Sequence, residues 1–389
     1  MWNTASLWNL GLALRRSLTK PIGQRWFGSL KPRVLALGLA WSVISLTVLG
    51  ETLPVQALPQ GNAIKDPKAL LRNALPIDNS EVRKLQTSLE DISLQLRANR
   101  RWGAVTSDIK TASRVLNDRP TKVLASIPDG QKAEAEQIIE QLKASVTELQ
   151  TATDGKDKEK ILITRSQMLD RISDLEAMMV KDFPFEVPQE YSNLPQLKGR
   201  ATVAAKTSEG EMTIVLDGFS APVTAGNFVD LVKRGFYDGL EFTRAEDSYV
   251  LQIGDPPGPE IGFVDPKTKK YRAVPMEILV KGEKEPVYGT TLEDAGRYLD
   301  QPVLPFSAYG ALALAAPADN PNGGSSQFFF FLFEPELTPA GANLLDGRYS
   351  IFGFVTEGAE VLGQLKAGDK IDSMKVVDGL ENLVEPNVA

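Results

Sequence analysis

The stretches Tyr249-Val250-Leu251-Gln252-Ile253-Gly254-Asp255 and Gly324-Ser325-Ser326-Gln327-Phe328-Phe329-Phe330-Phe331-Leu332-Phe333 decide the fold of the C-terminal half. Each contains a short apolar run bounded by Gly, Asp or Ser, the pattern of a buried strand (Tyr249–Ile253 and Phe328–Phe333). Working outward, Ala201–Ala205 and Met212–Leu216 read as strands joined by a turn at Ser208-Glu209-Gly210, and Ala311–Ala315 and Ser350–Val355 add two more. Pro222–Arg234 reads as a helix with Ala225, Phe228, Leu231 and Val232 on one face. Many short strands with Gly/Pro turns and one or two helices predict a closed antiparallel β-barrel, which removes exposed sheet edges.

Upstream the period changes. Val82, Leu85, Leu89, Ile92 and Leu96 step by three and four, as do Ile138, Leu142, Val146 and Leu149, and then Ile161, Met168, Ile172, Leu175 and Met179. Such stripes pack helix on helix. Breakers at Asp118-Arg119-Pro120, Pro128-Asp129-Gly130 and Asp154-Gly155-Lys156 separate them, so about four helices in an antiparallel bundle are expected over 58–182. The fold class is therefore α+β, a helical bundle followed by a barrel over 200–389. Between them, 183–199 carries Pro184, Pro188 and Pro195, which favours extended backbone and reads as a linker.

The chain of 389 residues contains no Cys and no His, with 43 Lys+Arg against 50 Asp+Glu for a net charge of −7. Disulfides, thiolate nucleophiles, a Ser-His-Asp triad, an HExxH zinc site and an imidazole switch are excluded. The cations Arg15, Arg16, Lys20, Arg25, Lys31 and Arg33 precede an apolar run from Val34 to Gly50, and Val55-Gln56-Ala57 follows as a small-x-small cleavage site. Residues 1–57 thus read as a signal peptide rather than a membrane anchor. The mature protein is expected in an exported compartment, meeting a membrane only through this segment or its clients. Its acidic body argues against nucleic acid as a partner. No metal cluster or nucleotide-binding loop stands out, so no cofactor is expected.

Four motifs in order carry a resemblance. Thr224-Ala225-Gly226-Asn227-Phe228, Phe242-Thr243-Arg244 with Tyr249–Asp255, Gly324–Phe329, and Leu345-Asp346-Gly347-Arg348-Tyr349-Ser350-Ile351-Phe352-Gly353 resemble the motifs of cyclophilin-type peptidyl-prolyl isomerases. With its helical first half, the whole chain resembles the large cyclophilins of the thylakoid lumen of plants and cyanobacteria. The resemblance implies cis/trans isomerisation of X–Pro bonds, proline-containing clients that include photosystem II subunits, and a location in the thylakoid lumen or periplasm.

Rotation about X–Pro meets a barrier of about 18–20 kcal/mol because amide resonance is lost, yet no bond is made and no proton leaves. A site without His is chemically sufficient if fixed donors favour the twisted state. By resemblance the donor is Arg244, pointing into an apolar cup inside the barrel. Gln252 would hold the substrate backbone, supported by Gln327. Tyr249, Val250, Phe329, Leu345 and Ala315 would line the cup, with Leu344 and Tyr349 at its rim. Thr243, Leu344, Tyr349, Tyr249 and Ala316 stand where the family has His, Trp, His, Phe and Asn. The long segment 256–309 holds eight prolines and reads as a lid, a docking surface or a surface excursion. Two further functions compete with catalysis: an assembly chaperone that binds client segments with little turnover, and a bundle serving as a structural photosystem subunit. Arg244 beside Glu246 and Asp247 also has an ordinary reading, a surface ion pair.

Overall fold

The computed structural model describes residues 64–97, 101–317, 319–333 and 343–386. The expected signal segment 1–57 lies outside the described residues.

The helical half contains α1 (Pro67–Ala74), α2 (Ser80–Arg97), α3 (Trp102–Asp118), the short α4 (Pro120–Leu124), α5 (Lys132–Asp154) and α6 (Lys158–Ala177). Local chemistry sets several boundaries. The Asp66 carboxylate accepts from Lys68 N and Pro67 occupies the first turn of α1, while Asp157 accepts from Lys160 N at the start of α6. Val82, Leu85, Leu89 and Ile92 of α2 meet Val105, Ile109 and Leu116 of α3, Leu142 and Leu149 of α5, and Met168, Ile172 and Leu175 of α6 in one core. The expected stripes are thus the core, with one shift: Ile139 is buried where Ile138 is only half-buried.

The second half contains β1 (Gln196–Leu197), β2 (Arg200–Thr207), β3 (Gly210–Asp217), helix α7 (Pro222–Lys233), β4 (Arg244–Glu246), β5 (Val250–Ile253), β6 (Glu277–Ile278), β7 (Val287–Tyr288), β8 (Ala311–Leu314), β9 (Phe328–Phe331), β10 (Ile351–Glu357), β11 (Ile371–Asp378) and β12 (Leu383–Val384). One eight-stranded antiparallel sheet runs β11-β2-β3-β10-β8-β9-β5-β4. Its two edges meet: Glu241 bridges Lys370, Phe242 N donates to Asp369 O at 2.8 Å, and Gly368 N donates to Phe242 O at 2.9 Å. The sheet thereby curls round its own core, where Leu216, Leu251, Leu312, Phe330 and Phe352 pack with Phe228 of α7.

The expected linker 183–199 folds onto the barrel. Phe183 lies against Phe185 and Phe219, Leu197 is fully buried, and β1 pairs with β12. That clasp requires a glycine. A Cβ at Gly226 on α7 would stand 2.5 Å from Gln196 Cα. The segment 256–309 is also more than a surface excursion, since Met276, Ile278, Val280, Leu304, Phe306 and Ala308 are buried. Its Glu277 carboxylate accepts from Val223 N and Thr224 N, capping α7, whose own N-cap residue Ala221 has no side-chain acceptor.

The bundle meets the barrel through α1. Leu70, Leu71 and Ala74 join a cluster with Ala311, Phe331 and Phe354 on the outer face of the sheet. Lys68 Nζ lies 3.3 Å from Glu357 Oε1, and the Arg200 guanidinium donates to Leu71 O.

Candidate active site

Strand pairing assembles the site. In an antiparallel sheet directly paired residues share a face. Arg244 pairs with Gln252, Gln252 with Phe329, and Phe329 with Ala313, so these side chains form one row across β4, β5, β9 and β8. The next row on the same face runs Glu246, Val250, Phe331, Ala311, Phe354 and Val215. The cup therefore lies on the outer face of the sheet, not inside the barrel as the sequence led us to expect. The reason is steric, because the inward side of the same strands is filled by Leu251, Phe330 and Leu312 packed beneath α7.

Phe329 forms the floor and is 6% exposed. Tyr349 stands edge-on to it at 5.2 Å between centroids, and Phe306 lies nearly parallel at 6.0 Å. Ala315 and Leu345, both half-buried, pack against the same cluster, as does the buried Val250. Tyr249 lies at the mouth, 38% exposed, with its ring edge-on to Phe331 at 6.1 Å. Burial, and next the neighbouring Tyr349, push the Tyr249 hydroxyl up, and the charges of Arg244 and Glu246 act on it in opposite directions. Leu344 does not join this group. It is 88% exposed, because the turn that folds Leu345 inward sends its neighbour to solvent.

The polar side of the cup is a relay of amides. Gln252 Nε2 donates to Gln327 Oε1 at 2.8 Å, and Gln327 Nε2 donates to Asp255 Oδ1 at 3.1 Å and to Ile261 O at 2.9 Å. Gln252 Oε1 accepts no hydrogen bond among the described residues. Arg244 is about half-exposed and bonded to Glu246, Nε to Oε1 at 2.7 Å. The ion-pair reading and the row position are thus both true of the same side chain.

The sequence carries two family matches. Residues 66–180 match the domain described as peptidyl-prolyl cis-trans isomerase CYP38-like, PsbQ-like domain, and residues 202–381 match the cyclophilin type peptidyl-prolyl cis-trans isomerase domain. A Synechocystis protein with the provisional name of thylakoid lumen peptidyl-prolyl cis-trans isomerase is 55% identical over 379 residues, covering 97% of this chain and 98% of its own length. This chain belongs to the cyclophilin-type peptidyl-prolyl cis-trans isomerases. The chloroplastic isomerase CYP38 of Arabidopsis thaliana is 44% identical over 371 residues, covering 91% of this chain and 85% of its own, and CYP37 of the same plant is 32% identical over 393 residues, covering 94% and 81%.

Several residues of this cyclophilin site escape a reading by motif. Phe306 backs Phe329 from 23 residues before it in the sequence, and its backbone N donates to Asp346 Oδ1 at 2.7 Å while its carbonyl accepts from Asn343 Nδ2 at 3.1 Å. Asn343 and Asp346 thus set the loop that presents Leu345. Asp255, the last residue of the second motif, anchors Gln327. The first motif proves architectural: Asn227 Nδ2 donates to Ser325 O at 2.8 Å, fixing the approach to Gln327 and β9.

Proposed function

We propose that this cyclophilin isomerises X–Pro bonds in exported client polypeptides, with the proline ring on Phe329, Gln252 holding the client backbone and Arg244 as the donor. As the amide twists, its nitrogen loses resonance and gains a lone pair. A guanidinium placed beside it bonds the twisted state and has nothing to bond in the planar one. The single observation that carries the proposal is the strand row Arg244–Gln252–Phe329, which sets a cationic donor, an amide and an apolar floor side by side on one face. Substrate positioning falls to an amide and donation to a guanidinium, so the reaction needs no imidazole.

We place the mature protein in the thylakoid lumen after cleavage near Ala57, acting in the assembly or maintenance of photosystem II. The cation-rich, apolar N-terminal stretch and the lumenal and chloroplastic names of the relatives support the location. Among the described residues no helix is long and apolar enough to cross a membrane. A second reading, a client-binding chaperone with little turnover, draws on the engagement of Arg244 by Glu246 and on the exposure of Leu344 where the resemblance implies a Trp. X–Pro exchange measured with the mature chain and with Arg244→Ala separates the two. Turnover that depends on Arg244 supports catalysis, and client binding without turnover in either form supports the chaperone.

A further inference from the structure

We propose that Glu246 sets the client preference of this site, selecting prolines flanked by Lys or Arg. The inference rests on the isomerase reading and adds a specificity residue to it.

Glu246 is two residues from Arg244 on β4, so both side chains leave the same face of the strand. It pairs with Val250, which pairs with Phe331, and so it stands at the lip of the apolar face that holds Phe329. Both Arg244 contacts fall on one carboxylate oxygen, Nε to Oε1 at 2.7 Å and Nη2 to Oε1 at 2.5 Å. Oε2 has no partner among the described residues. The two side chains are 47% and 48% exposed, so the pair is reachable from solvent and is not locked by packing. Asp247, also exposed, adds a second negative charge beside it, and Arg244 is the cation within ion-pair distance of Glu246 among the described residues.

The Arg244 guanidinium therefore has two claimants. In the resting site Glu246 holds it. In the twisted state the prolyl nitrogen needs it. A client ammonium or guanidinium arriving at Oε2 shares the carboxylate, weakens its hold on Arg244 and releases the donor to the prolyl nitrogen. An acidic client residue meets Glu246 and Asp247 and is repelled. Two residues along a strand span roughly 6–7 Å, so the responsive client position lies within about two residues of the proline.

The test uses the mature full-length chain and short X–Pro peptides with Lys, Ala or Glu at each of the positions flanking proline, with cis/trans exchange followed by NMR and affinity by titration. For the best position, kcat/KM for Lys exceeds that for Ala by roughly 2- to 5-fold, the range of an exposed charge pair, and the ratio shrinks as salt rises. The gain appears in KM as well as kcat, because the client cation binds in the ground state. In Glu246→Gln the Lys/Ala ratio collapses toward one while the Ala peptide turns over faster, and Glu246→Asp retains part of the preference. Thermal melts of the variants check the fold, which an exposed residue leaves intact. A Lys preference that survives Glu246→Gln overturns the proposal, and so does an Ala peptide slowed by that substitution. If no form turns over, the isomerase reading fails by itself. The Kd ratio of Lys and Ala peptides then reads the preference, and equal affinities overturn it.

Discussion

Arg244→Ala is the substitution on which the catalytic proposal stands or falls, and the structure sets its size. A hydrogen bond from a charged donor contributes about 1.5–3 kcal/mol. Arg244 must first loosen from Glu246, and an exposed pair of this kind contributes about 0.2–1 kcal/mol. The net stabilisation of the twisted amide is then about 0.5–2.8 kcal/mol, or roughly 2- to 100-fold in rate at 1.36 kcal/mol per decade. This is a small part of the 18–20 kcal/mol barrier, consistent with a reaction that proceeds unaided in tens to hundreds of seconds. Because the lone pair exists only in the twisted state, the loss falls on kcat and leaves KM nearly unchanged. Arg244→Lys recovers little, since a flexible ammonium does not reproduce the fixed guanidinium fork. The assay is NMR exchange on an Ala-Pro peptide with saturating mature protein, paired with a thermal melt. An Arg244→Ala protein that stays folded and turns over within twofold of the parent refutes the assignment.

Three other outcomes follow from the same coordinates. Gly226→Ala drives a methyl into Gln196 Cα and Pro195 O, at 2.5 and 2.6 Å before relaxation, and is expected to cost about 1–3 kcal/mol as an overpacked contact, read as a lowered Tm. Gln327→Ala removes the partner of Gln252 Nε2, and Asp255→Asn weakens the group behind it; both raise KM more than they lower kcat, with the larger effect at Gln327. Glu277 predicts a pH dependence. Burial pushes its carboxyl from 4.5 up to about 7, against the lowering pull of the α7 amides. A folded-state value above the unfolded one stabilises the fold fully below about pH 4.5, and that contribution is lost as pH rises through 7. The size is roughly 3 kcal/mol by linkage. Melts from pH 4.5 to 7.5 test it: Glu277→Gln, which keeps an oxygen facing Val223 N and Thr224 N, flattens the decline, and an unchanged slope contradicts the assignment.

The parts legible in the sequence are those governed by local pattern. The stripes of α2, α5 and α6, the β2–β3 hairpin and α7 all announce themselves by period and turn chemistry, and short strands near their expected bounds at β5, β8, β9 and β10 do the same. Three features did not. α3 buries Val105, Ile109, Ala112, Val115 and Leu116, but Ser and Thr share its faces and dilute the stripe. β11 alternates weakly, with exposed Asp372 and Lys375, and is held in the sheet by its register with β2 rather than by its own composition. The outer-face position of the cup follows from which side of each strand α7 fills, a tertiary fact with no local signature. In the site itself the motif residues were legible by resemblance. The Arg244–Glu246 pair was legible by adjacency, whereas Phe306, Asn343 and Asp255 act through spatial neighbours far away in sequence.

The bundle and the site share one sheet face, and this explains the arrangement of the whole second half. The row Val215–Phe354–Ala311–Phe331–Val250–Glu246 is apolar for five positions and charged at the last. A sheet face of that kind left open in water would be an exposed apolar patch of the sort that drives association. At the Val215–Phe354 end α1 covers it with Leu70, Leu71 and Ala74, tied down by Arg200 and by Lys68 at Glu357. In the middle Phe306 and Leu304 of the 256–309 segment cover it. At the Glu246 end, beyond the buried Val250, the described residues leave the charged pair, the exposed Tyr249 and the Gln252–Gln327 relay as a polar rim. Among the described residues, the reach of α1 and of the inserted segment thus draws the boundary of the proposed client site on this face.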